Sequence, residues 1–143
     1  MKKITKQLIT VCLAFLIAGL AQAQHTLRDT NGSQLGQIQS DGTVRNASGN
    51  AMGRIDSGGS VRNASGNLLG RIDGDGTVRD ASGSRLGQIQ SNGTVRDVTG
   101  SVIGQIDHSG TVRDERGNRI GQASGSNQRM IGASYFFFFF NGN

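Results

Sequence analysis

Apolar residues along this chain return on a seventeen-residue beat and lack the 3.6-residue period of a helix. Aligned at glycine, residues 36–52 (GQIQSDGTVRNASGNAM), 53–69 (GRIDSGGSVRNASGNLL), 70–86 (GRIDGDGTVRDASGSRL), 87–103 (GQIQSNGTVRDVTGSVI) and 104–120 (GQIDHSGTVRDERGNRI) are five units of 17 residues without insertion or deletion. Residues 26–35 supply the last ten positions of a preceding unit, and Gly121-Gln122-Ala123 supply the first three of a following one. Counted from the TVR side there are six copies, and seventeen of the 23 glycines fall at three phases of the period. Self-similarity of this kind marks a repeat architecture.

Glycine this frequent excludes helix, so each unit reads as strands and turns. One turn recurs as Ser40-Asp41-Gly42 and its equivalents, the other as Ala47-Ser48-Gly49 and its equivalents. A two-residue loop at Asp41-Gly42 would put Ile38 and Val44 on opposite faces. A three-residue loop with Gly42 in a bulge puts them on one face, and the apolar residues must share a side. The same logic across Ala47-Ser48-Gly49 pairs Val44 with Met52. One conflict remains: Met52 and Ile55 lie three apart, so an unbroken strand sends them to opposite faces. The glycine between them is the expected place for a bulge or bend that resets the phase. Each unit then offers three inward aliphatics, in the first copy Ile38, Val44 and Met52.

So thin an apolar lining would leave an open meander poorly packed and with two free edges. A closed, all-β ring of six antiparallel hairpins avoids both, with the strand around Leu27 sealing against the strand around Ala123. A parallel β-solenoid with one coil per repeat is the alternative. The pattern stops after residue 123. A polar linker, 124–129, leads into residues 130–143, which hold every aromatic residue that follows the N-terminal segment: Tyr135 and Phe136, Phe137, Phe138, Phe139 and Phe140. These are expected to fill the centre of the ring. Insertion into a membrane interface and docking to a partner are the competing uses, since an uncovered apolar run is otherwise an aggregation hazard. The stretch from Met130 to Phe140 is too short to span a bilayer as a helix.

Residues 1–23 have the layout of a secretory signal peptide: Lys2, Lys3 and Lys6, an apolar stretch from Leu8 to Leu20, and a small-x-small site at Ala21-Gln22-Ala23. Cleavage there places the mature start at Gln24, the repeat domain at 24–123, and the protein in the periplasm, cell envelope or medium. It also changes the charge. The formal +5 falls to +2, because the three lysines leave and twelve arginines face ten acids. That balance argues against nucleic acid as a partner. The one cysteine, Cys12, leaves as well, so the mature chain has no disulfide.

Chemistry-bearing residues are sparse, and neither a catalytic residue nor a cofactor or metal site is expected. His25 and His108 have no catalytic partner in sequence. Asp73-Gly74-Asp75-Gly76 looks like a calcium loop, but its equivalents lack the second acid and it reads as a β-turn. The recurring Arg28, Arg45, Arg62, Arg79, Arg96 and Arg113 form one guanidinium per unit, beside Asp29, Asn46, Asn63, Asp80, Asp97 and Asp114. A circle of guanidiniums would bind a polyanion such as a polysaccharide or lipid head group; the structural use is pairing with acids on neighbouring strands.

The Gly-x-Ile…Gly-Thr-Val-Arg hairpin repeat of residues 26–123, with its apolar C-terminal segment, resembles the bacterial beta-flower proteins. That resemblance implies a small ring of hairpin petals around a hydrophobic centre. The beta-flower shape has been likened to the Tubby C-terminal barrel, which implies lipid or membrane-surface binding by analogy, although no basic patch for phosphoinositide heads stands out here. The expectation is a non-enzymatic secreted or envelope module that contacts lipid, membrane surface or an envelope protein; the alternative is an anion-binding module built on the arginine circle.

Overall fold

The computed structural model describes residues 24–125 and 127–141. The expected signal peptide lies outside the described residues. From residue 25 the chain forms strands of five and four residues: β1 (His25–Asp29), β2 (Gln34–Ile38), β3 (Thr43–Asn46) and β4 (Ala51–Ile55). This rhythm continues to β11 (Thr111–Asp114) and β12 (Arg119–Ala123). All twelve pair antiparallel with their chain neighbours, and β1 pairs with β12 to close the barrel. The fold is thus a closed ring of six hairpins, and the solenoid is excluded.

Both turns are three-residue loops. At Gln39–Gly42 the amide of Gly42 donates to the carbonyl of Gln39 (2.9 Å) and that of Gln39 to Thr43 (2.8 Å), with Gly42 at φ +91°. Ile38 therefore stands opposite Val44, as expected from the shared face. Five turns of this kind and the β1–β12 seam make one rim of the barrel. The other rim carries six turns, at residues 29–32, 46–49, 63–66, 80–83, 97–100 and 114–117.

The second strand pair corrects the expected register. Val44 lies opposite Gly53, not Met52, because Arg45 pairs with Ala51 and Met52 is the extra residue of a bulge. The phase is thus reset one residue before the glycine. All six hairpins repeat this irregularity, with Leu35, Met52, Leu69, Leu86, Ile103 and Ile120 as the extra residues. A bulge bends its strand and increases the local twist, which suits strands that must curve into a small ring. Each bulged side chain is half-buried and packs against the core.

The core is the lining of the barrel. Val44 and its equivalents are fully buried, each between an isoleucine and a glycine on the neighbouring strands. At the seam Leu27 takes the valine position and Ala123 the isoleucine position, directly opposite each other. The larger residue faces the smaller. Their neighbours Thr26 and Ser124 add polar ties at the seam: Ser124 donates its amide to the carbonyl of Thr26 (2.9 Å), and its Oγ accepts from the amide of Thr26 (2.7 Å).

Candidate functional site: the plugged end of the ring

About eight strands already give a barrel interior that lining side chains can fill. Twelve leave space, and the C-terminal segment occupies it. A short helix, α1 (Gln128–Ala133), starts at the five-turn rim, where the side chain of Asn127 accepts from the amide of Met130 (3.1 Å) and Gln128 Nε2 donates to the carbonyl of Ile106 (2.9 Å). The helix takes in the last two residues of the polar stretch 124–129. Ile131 and Ala133 are fully buried, and a Cβ on Gly132 would stand 2.8 Å from Ile106 Cδ1. The segment therefore narrows where it passes the isoleucine layer.

Beyond that neck the helix widens into a π-turn, Ser134–Phe138. The amides of Phe139 (3.2 Å) and Phe140 (2.9 Å) both donate to the carbonyl of Ser134. An α-helix rotates ~100° per residue, too fast to present successive side chains to successive petals of a sixfold ring. A hydrogen bond reaching from residue 140 back to 134 closes a turn of six residues, one per petal.

The side chains follow that count. Tyr135 lies against Gly121, Phe136 against Gly104, Phe137 against Gly87, Phe138 against Gly70, Phe139 against Gly53 and Phe140 against Gly36. Each glycine is the residue opposite the buried valine (leucine at the seam) of its own hairpin. A Cβ at these positions would overlap a strand carbonyl and the aromatic ring together, as at Gly70 with Arg79 O and Phe138. Glycine opens a slot, and one ring fills it. The seam petal differs: its aromatic is tyrosine, whose hydroxyl donates to the carbonyl of Arg28 (2.6 Å) on β1 while its ring covers β12. Burial holds that phenol up at about 12, against an ordinary value of 10.0.

Toward the six-turn rim the rings are only half-covered. Phe136 to Phe139 are partly exposed, and the six bulged aliphatics surround them as a collar. Near the seam a hollow of ≈ 610 Å³ lies between Leu35, Ile120, Tyr135, Phe136 and Phe140, with Asp29, Thr30 and Asn141 as its polar edge. The large apolar residues that stand exposed, Leu68 (40%), Val98 (58%) and Val102 (39%), all sit at this same rim. One end of the barrel is therefore a dish with an apolar floor, and Leu68 and Val102, opposite Arg62 and Arg96, stand on the outer wall around it.

The six repeated arginines stand on the outer wall beside it. Arg28, Arg45, Arg62, Arg79, Arg96 and Arg113 each donate Nη1 to the glycine carbonyl of their own six-turn-rim turn, at 2.8–3.1 Å. They do not converge. The neighbouring Asp or Asn caps the same turn: Asn46 Oδ1, for example, accepts from the amides of Ser48 and Asn50. Of the six, Arg79 alone is in an ion pair among the described residues, with Asp73 (2.8 Å). Asp73 also meets Arg71 (2.9 Å), and these two guanidiniums, Arg79 foremost, hold its carboxyl below the usual range. Asp75 accepts from the amide of Thr77 (2.9 Å), so both acids of the calcium-like loop already have partners. His25 Nδ1 lies 2.9 Å from the carbonyl of Ser124 at the seam, and His108 is exposed in a turn. No cluster of three metal-ligating side chains exists among the described residues.

Sequence reasoning placed the aromatic run in the centre but missed its one-to-one match with the glycines. The signal was present as a pair of counts, six glycines at one phase of the repeat and six consecutive aromatics.

A closed ring of short antiparallel hairpins with an apolar segment threaded through its middle is a beta-flower architecture. The family model described as "5-fold beta-flower protein" matches residues 24–140, the ring and the whole aromatic run, and the chain belongs to that family. Where the family is described as fivefold, this ring has six petals. No curated protein matches the sequence.

Proposed function

We propose that the protein is an exported, non-enzymatic module of the cell envelope that works by contact, laying its six-turn rim on a lipid surface. The observation that carries this reading is the gathering of half-covered rings, collar aliphatics and Leu68, Val98 and Val102 at one end of the barrel. Apolar surface concentrated in one patch is the property of a contact face. Strands of four and five residues fall short of the ~9–11 needed to cross a bilayer, which favours lying on the surface over spanning it. Most of the outer wall agrees: Arg45 stands there between Gln37 and Ala51, and Thr43 beside Arg54, while the exposed Leu68 and Val102 lie at its six-turn edge. The competing use of the arginine circle as a discrete anion site is weakened by its geometry, since each Nη1 is tied to its own turn.

The test is co-sedimentation of residues 24–143 with lipid vesicles, beside a variant carrying Leu68→Asn, Val98→Asn and Val102→Thr. All three positions are exposed, so the variant should keep its melting temperature while vesicle binding falls several-fold. A protein that sediments with no vesicle of any composition refutes the lipid reading. N-terminal sequencing of the exported protein should begin at Gln24; recovery of Met1 on the mature chain would refute export by cleavage.

A further inference from the structure

We infer that the lipid surface this rim selects is an anionic one, and that the protein lies on it with the six-turn rim down. The inference rests on the lipid reading above and adds charge and orientation to it. The arginine circle and Arg85, Arg116 and Arg119 lie in the turns or strand ends nearer the six-turn rim. The acids at that end are Asp29, Asp80, Asp97, Asp114 and Glu115. Nine arginines against five carboxylates leave that end at +4. The opposite end holds Arg54, Arg71 and Arg129 against Asp41, Asp56, Asp73, Asp75 and Asp107, which leaves −2. Arg79 and Asp73, counted at opposite ends, meet at 2.8 Å, and the remaining charges make the barrel a formal charge dipole whose positive end is also its apolar end.

Those two properties together fit one occupant. A basic rim around an apolar centre matches a bilayer surface with anionic head groups above acyl chains, where each basic residue raises partitioning about fivefold. A second copy placed rim to rim would oppose +4 to +4. A nucleic acid would match the charge and leave the dish uncovered. The repeat explains how the arrangement arises without a dedicated binding loop: every unit sends its arginine back over the six-turn rim to bond a turn carbonyl, and the bulge on the partner strand turns an aliphatic side chain inward at the same level.

The experiment uses residues 24–143 with vesicles of phosphatidylcholine alone and of phosphatidylcholine mixed with phosphatidylglycerol, at rising salt. Partitioning to the mixed vesicles should exceed that to the neutral ones by more than tenfold and fall as salt rises. Arg85→Gln, Arg116→Gln and Arg119→Gln together leave the six turn bonds in place and should lower it by more than tenfold with the melting temperature kept. Orientation is read separately. Cys12 precedes Gln24, so this chain is free of cysteine. An environment-sensitive dye on Val98→Cys should blue-shift on mixed vesicles, and one on Ser57→Cys, in a five-turn-rim turn, should not. Equal binding to both vesicle types overturns the charge selection and leaves the lipid reading standing; binding to neither overturns both. A blue shift at Ser57→Cys overturns the orientation, and sedimentation without vesicles points instead to head-to-tail stacking of +4 on −2 and overturns the inference.

Discussion

At the residue scale, the glycines divide by what their missing Cβ would meet. A Cβ on Gly70 would overlap the carbonyl of Arg79 and lie 2.9 Å from the Phe138 ring, whereas Gly74, four residues on, has nothing within 4 Å. Gly70→Ala should cost about 1–3 kcal/mol through overpacking, and Gly74→Ala should stay within ~0.5 kcal/mol of the parent; paired thermal melts read the difference. Tyr135 makes a second test. Its folded pKa of about 12 lies above the unfolded value of 10.0, so the folded state keeps a proton the unfolded state loses. Stability should therefore fall as pH rises from 10 toward 12. Tyr135→Phe should lose the bond to Arg28, at a cost of about 1 kcal/mol near neutrality, and flatten that alkaline decline in a denaturant titration. A decline that survives in the variant would trace to other groups.

At the scale of the element, the hairpin is a turn capped twice. In the turn at 97–100 the carboxylate of Asp97 accepts from the amides of Thr99 (2.9 Å) and Ser101 (3.0 Å), while Arg96 Nη1 closes on the carbonyl of Gly100 (2.8 Å). The Thr99 hydroxyl, the largest influence, lowers the Asp97 carboxyl below its ordinary value, and Ser82 and Ser109 do the same for Asp80 and Asp107. A depressed carboxyl stabilises the fold above the unfolded value of ~3.9. That contribution is lost as pH falls through the lower folded value. Melts in acid should thus decline below about pH 4. Asn46 and Asn63 fill the same position in other units, so Asp97→Asn should keep most of the stability and lose part of the acid decline, and Asp97→Ala should lower the melting temperature at every pH. The turns were legible in the sequence because Gly42 and Gly49 recur with their polar neighbours at fixed spacing. The bulge at Met52 was legible only as a contradiction of phase between Met52 and Ile55. Which residue absorbs it depends on strand curvature, and curvature belongs to the closed ring and not to any one unit.

At the scale of the molecule, ring and plug are counted against each other. Six petals present six glycine slots, and residues 135–140 deliver six rings from a turn of matching size. The family is described as fivefold, which marks petal number as a variable of this architecture. Deleting residues 70–86 together with Phe138 should therefore give a smaller ring that still melts cooperatively. Deleting residues 70–86 alone crowds the centre, and deleting Phe138 alone leaves a slot empty and shifts the later rings. Both mismatched variants should melt lower and bind more apolar dye than the matched one. Equal melting of all three would show that the match is incidental. The closed ring was readable from the split unit, with Leu27 and Ala123 as the two halves of one pairing. The charge dipole was not, because assigning Arg54 to one rim and Arg45 to the other requires knowing where each strand begins.

The plug also imposes an order of events on biosynthesis. The aromatic run follows all twelve strands along the chain, and the first strand finds its closing partner only in the last. Until the ribosome has made residue 140, the lumen is unfilled and β1 is half-paired, so the nascent polypeptide has no finished state to collapse into. A chain that cannot lock before residue 140 is made accords with the export proposed above, since threading through a translocation pore needs an unlocked polypeptide.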